Sequence, residues 1–275
     1  MLKERIITAV ILAVALIFAL LLVPPAIFSS LISVVVLVAA WEWANLIKIT
    51  SMSGRVSFLI SLIILLGGAH FILDVYGDFD QQLSYQLCLF TLVLWGVIFL
   101  WIQGYPSSTI LWASRPVLVM LGLVLLLSTW VSLAAIVSFT DGRWLLLLAI
   151  VVVVLADLGG YVAGRLFGRH KMAPVISPGK TWEGFLGGLF LQLVLIFALK
   201  LFIPSLTLVN LLVLIIPVAL ISVIGDLFES MLKRYQGVKD SGTLLPGHGG
   251  VLDRLDGVMA AMPMFWVILA QSNPF

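Results

Sequence analysis

A chain of 275 residues that is 62% hydrophobic and 10% charged, with mean hydropathy +1.22, cannot be a water-soluble globule, which carries about 45–50% apolar and about 25% charged residues. The same figures exclude a disordered chain, and continuous apolar runs exclude a closed β-barrel, whose strands alternate apolar and polar residues. A net charge of +2 gives no footing for a nucleic-acid partner.

The fold class is therefore an all-α integral membrane protein embedded in the lipid bilayer. At about 20 residues per span, apolar runs predict nine helices over 6–23, 26–47, 56–75, 84–102, 116–139, 144–168, 182–203, 206–231 and 250–271. The first follows Lys3-Glu4-Arg5 and stops at Pro24-Pro25, which cannot continue a helix. It is longer than a signal-peptide apolar region and no small-residue cleavage site follows, so it is read as an uncleaved span. The one cysteine, Cys88, falls inside the fourth run; no intramolecular disulfide can form, and it is a packing residue.

With nine spans, 13 of the 15 Lys and Arg fall on the side of the N-terminus, and only Arg143 and Lys200 on the other. Cytoplasmic loops concentrate Lys and Arg, so the N-terminus is expected in the cytoplasm. No 20–50-residue repeat or inverted symmetry is present. The polar content is lopsided. Residues 1–143 read as a transmembrane scaffold of about five spans. Residues 144–275 read as the catalytic region of about four, with cytoplasmic loops 169–181 and 232–249.

Carboxylates inside apolar spans need a partner or a wet cavity. Asp253 and Asp256 are spaced i, i+3 on the last span, and Asp226 and Glu229 repeat that spacing on the span before. At 1.5 Å per residue, Asp226, Asp253 and Asp256 lie roughly 5–9 Å below the expected cytoplasmic surface. Such a level of acids suits Mg²⁺ or an ion relay, or pairs as salt bridges with Lys233, Arg234 and Arg254. Asp157 lies deeper, and either pairs with Arg165 or reaches the same cavity.

The loop from Lys233 to Gly250 combines three cations, hydroxyls and five glycines just before a helix start, an arrangement that can bring backbone amides to phosphates. Attraction to anionic headgroups would account for the charge alone. His248 could be a ligand, a general base or a packing residue. In the other loop, Gly179-Lys180-Thr181 suggests a Walker A sequence, but its first glycine would fall at Pro174 and no strand precedes it. Lys180 can still meet a phosphate as a point charge. Ala156, Gly160, Gly164 and Gly168 recur every four residues, a stripe expected to pack helices closely.

Ser230-Met231-Leu232-Lys233-Arg234, four residues, Lys239-Asp240-Ser241-Gly242, and then Leu245-Pro246-Gly247-His248-Gly249-Gly250-Val251-Leu252-Asp253-Arg254-Leu255-Asp256 resembles the signature of the phosphatidate cytidylyltransferases, the CDP-diacylglycerol synthases, with every fixed position filled over 27 residues. The stretch from Ala156-Asp157 to Gly184 resembles a second block of that family. The resemblance covers about residues 150–260 firmly; the earlier spans match only in being hydrophobic. It implies transfer of CMP from CTP to phosphatidate, a metal site with Mg²⁺ and K⁺ in which Asp226 and Asp253 match the ligand positions, and a homodimer. It further implies residence in the cytoplasmic (inner) membrane of a bacterium, in phospholipid biosynthesis. The resulting assignment places Lys239, Asp240, His248 and Arg254 with the chemistry. Lys180, Thr181, Ser230, Lys233, Arg234, Gly249 and Gly250 go with the substrates, and Asp226, Asp253, Asp256 and Asp157 with metal. An ion-coupled transporter would instead want midplane acids and symmetric halves, and a lipid-binding scaffold would not need carboxylates opposite a basic glycine loop.

Overall fold

A computed structural model describes residues 2–245, 247 and 249–272. Among them, helices α1 (Leu2–Leu22), α2 (Pro25–Leu46), α3 (Met52–Ile72), α4 (Gln81–Gln103), the one-turn α5 (Thr109–Trp112), α6 (Arg115–Ser138) and α7 (Gly142–Phe167) are followed by strands β1 (Lys171–Ala173) and β2 (Ser177–Thr181), then by α8 (Trp182–Phe202), α9 (Leu208–Gln236) and α10 (Leu252–Ser272).

The helix starts are set locally. Pro25 and Pro116 occupy first turns, where a missing N–H costs nothing. Ser51, Asp80, Thr181 and Thr207 accept the N–H groups of Gly54, Leu83, Gly184 and Asn210 at 2.8–3.2 Å. Each of the nine expected spans corresponds to one long helix. Seven of these (α2, α3, α4, α6, α7, α8 and α9) are long and apolar enough to cross a membrane, and the chain is a multi-pass membrane protein. The orientation expected from the cations is tested by reporter fusions at Asp78 and Gly237. These should report opposite sides of the membrane; the same side for both overturns it.

Two segments expected as plain loops carry structure. The loop 169–181 folds as an antiparallel hairpin pairing Lys171 with Thr181 and Ala173 with Ser177. Gly179-Lys180-Thr181 thus lies within a strand and cannot wrap a phosphate as a Walker loop does. The apolar run around 206–231 continues as helix to Gln236, so Lys233 and Arg234 belong to α9, and the loop expected from 232 begins at Gly237. Gly237 adopts φ 73° and its N–H closes on the carbonyls of Lys233 and Arg234, a left-handed glycine cap that charge alone does not reveal. His248 lies outside the described residues.

α10 is deeply enclosed, with Met259 to Met262, Phe265, Trp266 and Leu269 all fully buried. Two buried indole N–H groups tie helices together: Trp43 donates to the Leu118 carbonyl at 3.1 Å and Trp130 to that of Ser29 at 2.9 Å. The small-residue stripe on α7 packs as expected. A Cβ built on Gly188 would lie 2.8 Å from the Ala156 carbonyl oxygen, and one on Gly184 2.6 Å from that of Gly160. The backbones of α7 and α8 meet because nothing stands between them.

Candidate active site

The last turns of α9 place Asp226, Glu229, Ser230 and Lys233 at i, i+3, i+4 and i+7, along one side of the helix. The structure divides these residues between two clusters. In the first, Asp226 forms an ion pair with Lys180 of β2 at 2.5 Å and accepts a hydrogen bond from Ser230 Oγ at 3.2 Å. Asp157 of α7 and Asp256 of α10 lie within electrostatic reach of Asp226 and of each other, and Lys180 and Arg254 within reach of Asp157. Asp157 thus joins the shallower acids; Arg165 instead donates to the Tyr161 hydroxyl at 3.0 Å.

The second cluster is an ion network. Lys233 Nζ donates to Glu229 at 2.5 Å and to Asp253 at 2.8 Å. Asp253 accepts the N–H of Ser241 at 3.1 Å and that of Gly250 at 2.7 Å. The carboxylate therefore fastens both ends of the loop between α9 and α10. Gly249, at φ 83°, allows this: a Cβ there would fall 2.6 Å from the Asp253 Oδ2, and a left-handed backbone is strained for any other residue. Of Gly249 and Gly250, both expected with the substrates, Gly250 gives its N–H to Asp253 and Gly249 accepts the Leu245 N–H at 2.8 Å.

A cavity of about 470 Å³ lies between α7, α8, α9 and the hairpin. Asp157, Arg165, Lys180 and Asp226 supply its charge, while Phe185, Leu189, Ala219 and Val223 of α8 and α9 supply apolar wall. The Thr181 hydroxyl, expected to touch substrate, also lines the cavity but caps α8 by accepting from Gly184 N–H. Arg234 is spent on the Ile176 carbonyl at 3.0 Å, tying α9 to the hairpin. Lys239, Asp240 and Arg254 stand exposed.

Among the described residues, no three His, Cys, Asp or Glu side chains group closely enough to cage a metal by themselves. Mg²⁺ does not require this, because it is commonly held by one or two carboxylates together with substrate phosphates and water. Asp226 has Asp157 and Asp256 within electrostatic reach, but its oxygens serve Lys180 and Ser230, just as those of Asp253 serve Lys233 and the loop amides. Either carboxylate meets such a cation only by exchanging these partners for it.

One participant went unnoticed in the sequence. Glu42 of α2, in the half read as scaffold, is 1% exposed and accepts the Leu252 N–H at 2.8 Å, at the start of α10. A carboxylate within Trp41-Glu42-Trp43, a few residues from the end of an apolar span, was the available signal. Glu183 was also not singled out: it binds the N–H groups of Arg169 and His170 and the His170 ring at 2.6 Å, holding the hairpin base.

The model of the Cytidylyltransferase family matches residues 3–271. The phosphatidate cytidylyltransferase of Pseudomonas aeruginosa is 38% identical over 271 residues, 98% of this chain and 97% of the relative. That of Haemophilus influenzae is 38% identical over 285 residues, 96% of this chain and 97% of the relative. The enzyme of the same name from Staphylococcus saprophyticus is 46% identical over 133 residues, 48% of this chain and 51% of the relative. Matched along almost its whole length both to the family and to two relatives, the chain belongs to the cytidylyltransferase family.

Proposed function

We propose that the protein transfers CMP from CTP to phosphatidate, giving CDP-diacylglycerol and pyrophosphate. The observation that carries this reading is the cavity between α7, α8 and α9, whose wall joins Asp157, Arg165, Lys180 and Asp226 to apolar side chains of α8 and α9, a match to a lipid whose phosphate must meet a nucleotide while its chains stay in hydrocarbon. An oxygen of the phosphatidate phosphate attacks the α-phosphorus of CTP. The new P–O bond forms as the bond to the bridging oxygen breaks, and that oxygen departs in line with pyrophosphate.

Both reactants are anions, so the protein must neutralise and align them. Lys180 and Arg165 bring cationic charge into the cavity, and Arg254 brings it near Asp157. Mg²⁺ held by Asp226, Asp256 and Asp157 would neutralise phosphate oxygens and orient the leaving group. Asp253 would join that set only by releasing Lys233. Lys233 and Asp253 hold the loop carrying Lys239 and Asp240, and no covalent nucleophile is required. Placement in the inner membrane of a bacterium with this end toward the cytoplasm is supported by the 13-to-2 distribution of cations. The homodimer rests on the family resemblance.

Purified protein incubated with labelled CTP and phosphatidate should release pyrophosphate and a labelled lipid, and chelation of Mg²⁺ should stop it. No labelled lipid under these conditions overturns the reading. The cations divide the work. Arg254→Ala is expected to lower kcat about 10²–10³-fold, because a contact made mainly in the transition state appears in kcat. Lys180→Ala should mainly raise KM for CTP or phosphatidate. Steady-state kinetics decides, and a change confined to KM in Arg254→Ala would reverse its assignment.

A further inference from the structure

We infer that Glu42, in the N-terminal half, is a positioning residue of the proposed transfer site, fixing where the glycine loop 237–251 and the first turn of α10 sit. The inference rests on the functional reading above only for its kinetic consequence.

The geometry carries it. Glu42 Oε2 accepts the Leu252 N–H at 2.8 Å across 210 residues of sequence. The other capped starts along this chain use hydroxyls or a carboxylate from the adjoining residue, as at Ser51, Asp80, Thr181 and Thr207. A neighbouring Ser or Thr could hold the first turn of α10 equally well, but it would not attach that turn to α2. What Glu42 adds is location.

The loop glycines are shaped to the same carboxylate. A Cβ on Gly250 would fall 2.5 Å from Glu42 Oε2 and 2.6 Å from Ser241 Oγ. One on Gly242 would fall 2.7 Å from the Glu42 carboxyl carbon. These two glycines thus admit Glu42 into the loop, whatever else they do. Leu252 is followed at once by Asp253, which binds Ser241, Gly250 and Lys233. Displacement of the Leu252 N–H therefore moves the whole ion network, and with it the loop that carries Lys239.

Stability does not explain the choice. Glu42 Oε1 and Ser241 Oγ are both buried without a hydrogen-bond partner among the described residues, and Asp253 is a second negative charge within reach of Glu42. A buried carboxylate with one oxygen unpaired is a poor stabiliser, often matched or bettered by a neutral residue.

The test uses the full-length protein in lipid nanodiscs. Glu42→Ala should lower kcat about 100-fold, the scale of a displacement of about 1 Å in reacting groups, with KM for both substrates changed less than about threefold. Its thermal midpoint should change little, because removal of a buried, half-unpaired charge offsets the acceptor lost to the Leu252 N–H. Glu42→Gln should recover most of kcat, because the amide oxygen still accepts the Leu252 N–H. Amide exchange over 239–252 in the substrate-free protein should be faster in Glu42→Ala than in wild type. Unchanged kcat with unchanged exchange overturns the inference, and so does a loss of kcat that tracks a falling thermal midpoint. If the alanine variant does not accumulate, Glu42→Asp, shorter by one methylene, must show the same split. Wild-type protein that makes no CDP-lipid while the loop still loosens in Glu42→Ala would refute the functional reading and leave the positioning role standing.

Discussion

Asp226→Asn should abolish cytidylyl transfer, by at least about 10²-fold, while the protein remains folded. The carboxylate is the meeting point of the first cluster: it pairs with Lys180 at 2.5 Å, accepts from Ser230, and shares its field with Asp157 and Asp256. Asn keeps the volume and loses the charge that a hard cation and an ammonium both require. Exchange over 239–252 should be unchanged, because Asp226 does not bind that loop. Asp253→Asn should also lose turnover, but it should loosen the loop, since it weakens a carboxylate bound to the Ser241 and Gly250 amides and to Lys233. Near-normal turnover of Asp226→Asn at saturating Mg²⁺ would remove this residue from the metal set.

The second large effect should come from a residue without a side chain. Gly188→Val places its Cβ 2.8 Å from the Ala156 carbonyl oxygen and 3.5 Å from its Cα, and backbone in a packed helix pair cannot step aside. Overpacking of this kind costs about 1–3 kcal/mol, and the upper end applies where the obstacle is backbone. The thermal midpoint in detergent should fall, and activity with it, since α7 and α8 form two walls of the cavity. Gly160→Ala is the contrasting variant. Its Cβ would lie 3.9 Å from the Gly184 carbonyl oxygen, an ordinary contact, and Ala favours helix over Gly, so the midpoint should hold or rise. Equal loss in both variants would mean that the close approach of α7 and α8 is not what holds the pair.

The contrast between these two glycines marks how far the sequence could be read. Spacing every fourth residue was enough to place Ala156, Gly160 and Gly164 in a helix interface, because helical period fixes which residues share a face, whereas Gly168 ends α7 and lies against Thr181. It could not rank them, because the ranking depends on which partner atom faces each one. Apolar runs located the long helices to within a few residues wherever Pro, Gly or a capping hydroxyl ended them. They failed at α9, where charge at Lys233 and Arg234 resembled a loop although the helix continues to its glycine cap. The hairpin was hidden because its strands are three and five residues long and pair only with each other. Among the acids, i, i+3 spacing gave neighbours along one helix but not partners across helices. It therefore paired Asp253 with Asp256 and Asp226 with Glu229, and could not show that Lys233 and the loop amides hold Asp253. Glu42 escaped for the same reason: its partner is a backbone N–H on the last helix, and nothing in the local pattern of α2 points there.

The Glu42 to Leu252 contact also orders events during synthesis. α2 is among the first segments made and α10 is the last, so the carboxylate must wait for 210 further residues before its backbone partner arrives. Contacts so distant in sequence form late. Until α10 is in place, the carboxylate of α2 has no Leu252 amide to meet it. A chain interrupted before residue 252 would therefore carry Asp157 and Asp226 yet lack the backbone partner of Glu42. Arrival of α10, rather than insertion of the early spans, is the step that fixes where α2 and the glycine loop stand to one another.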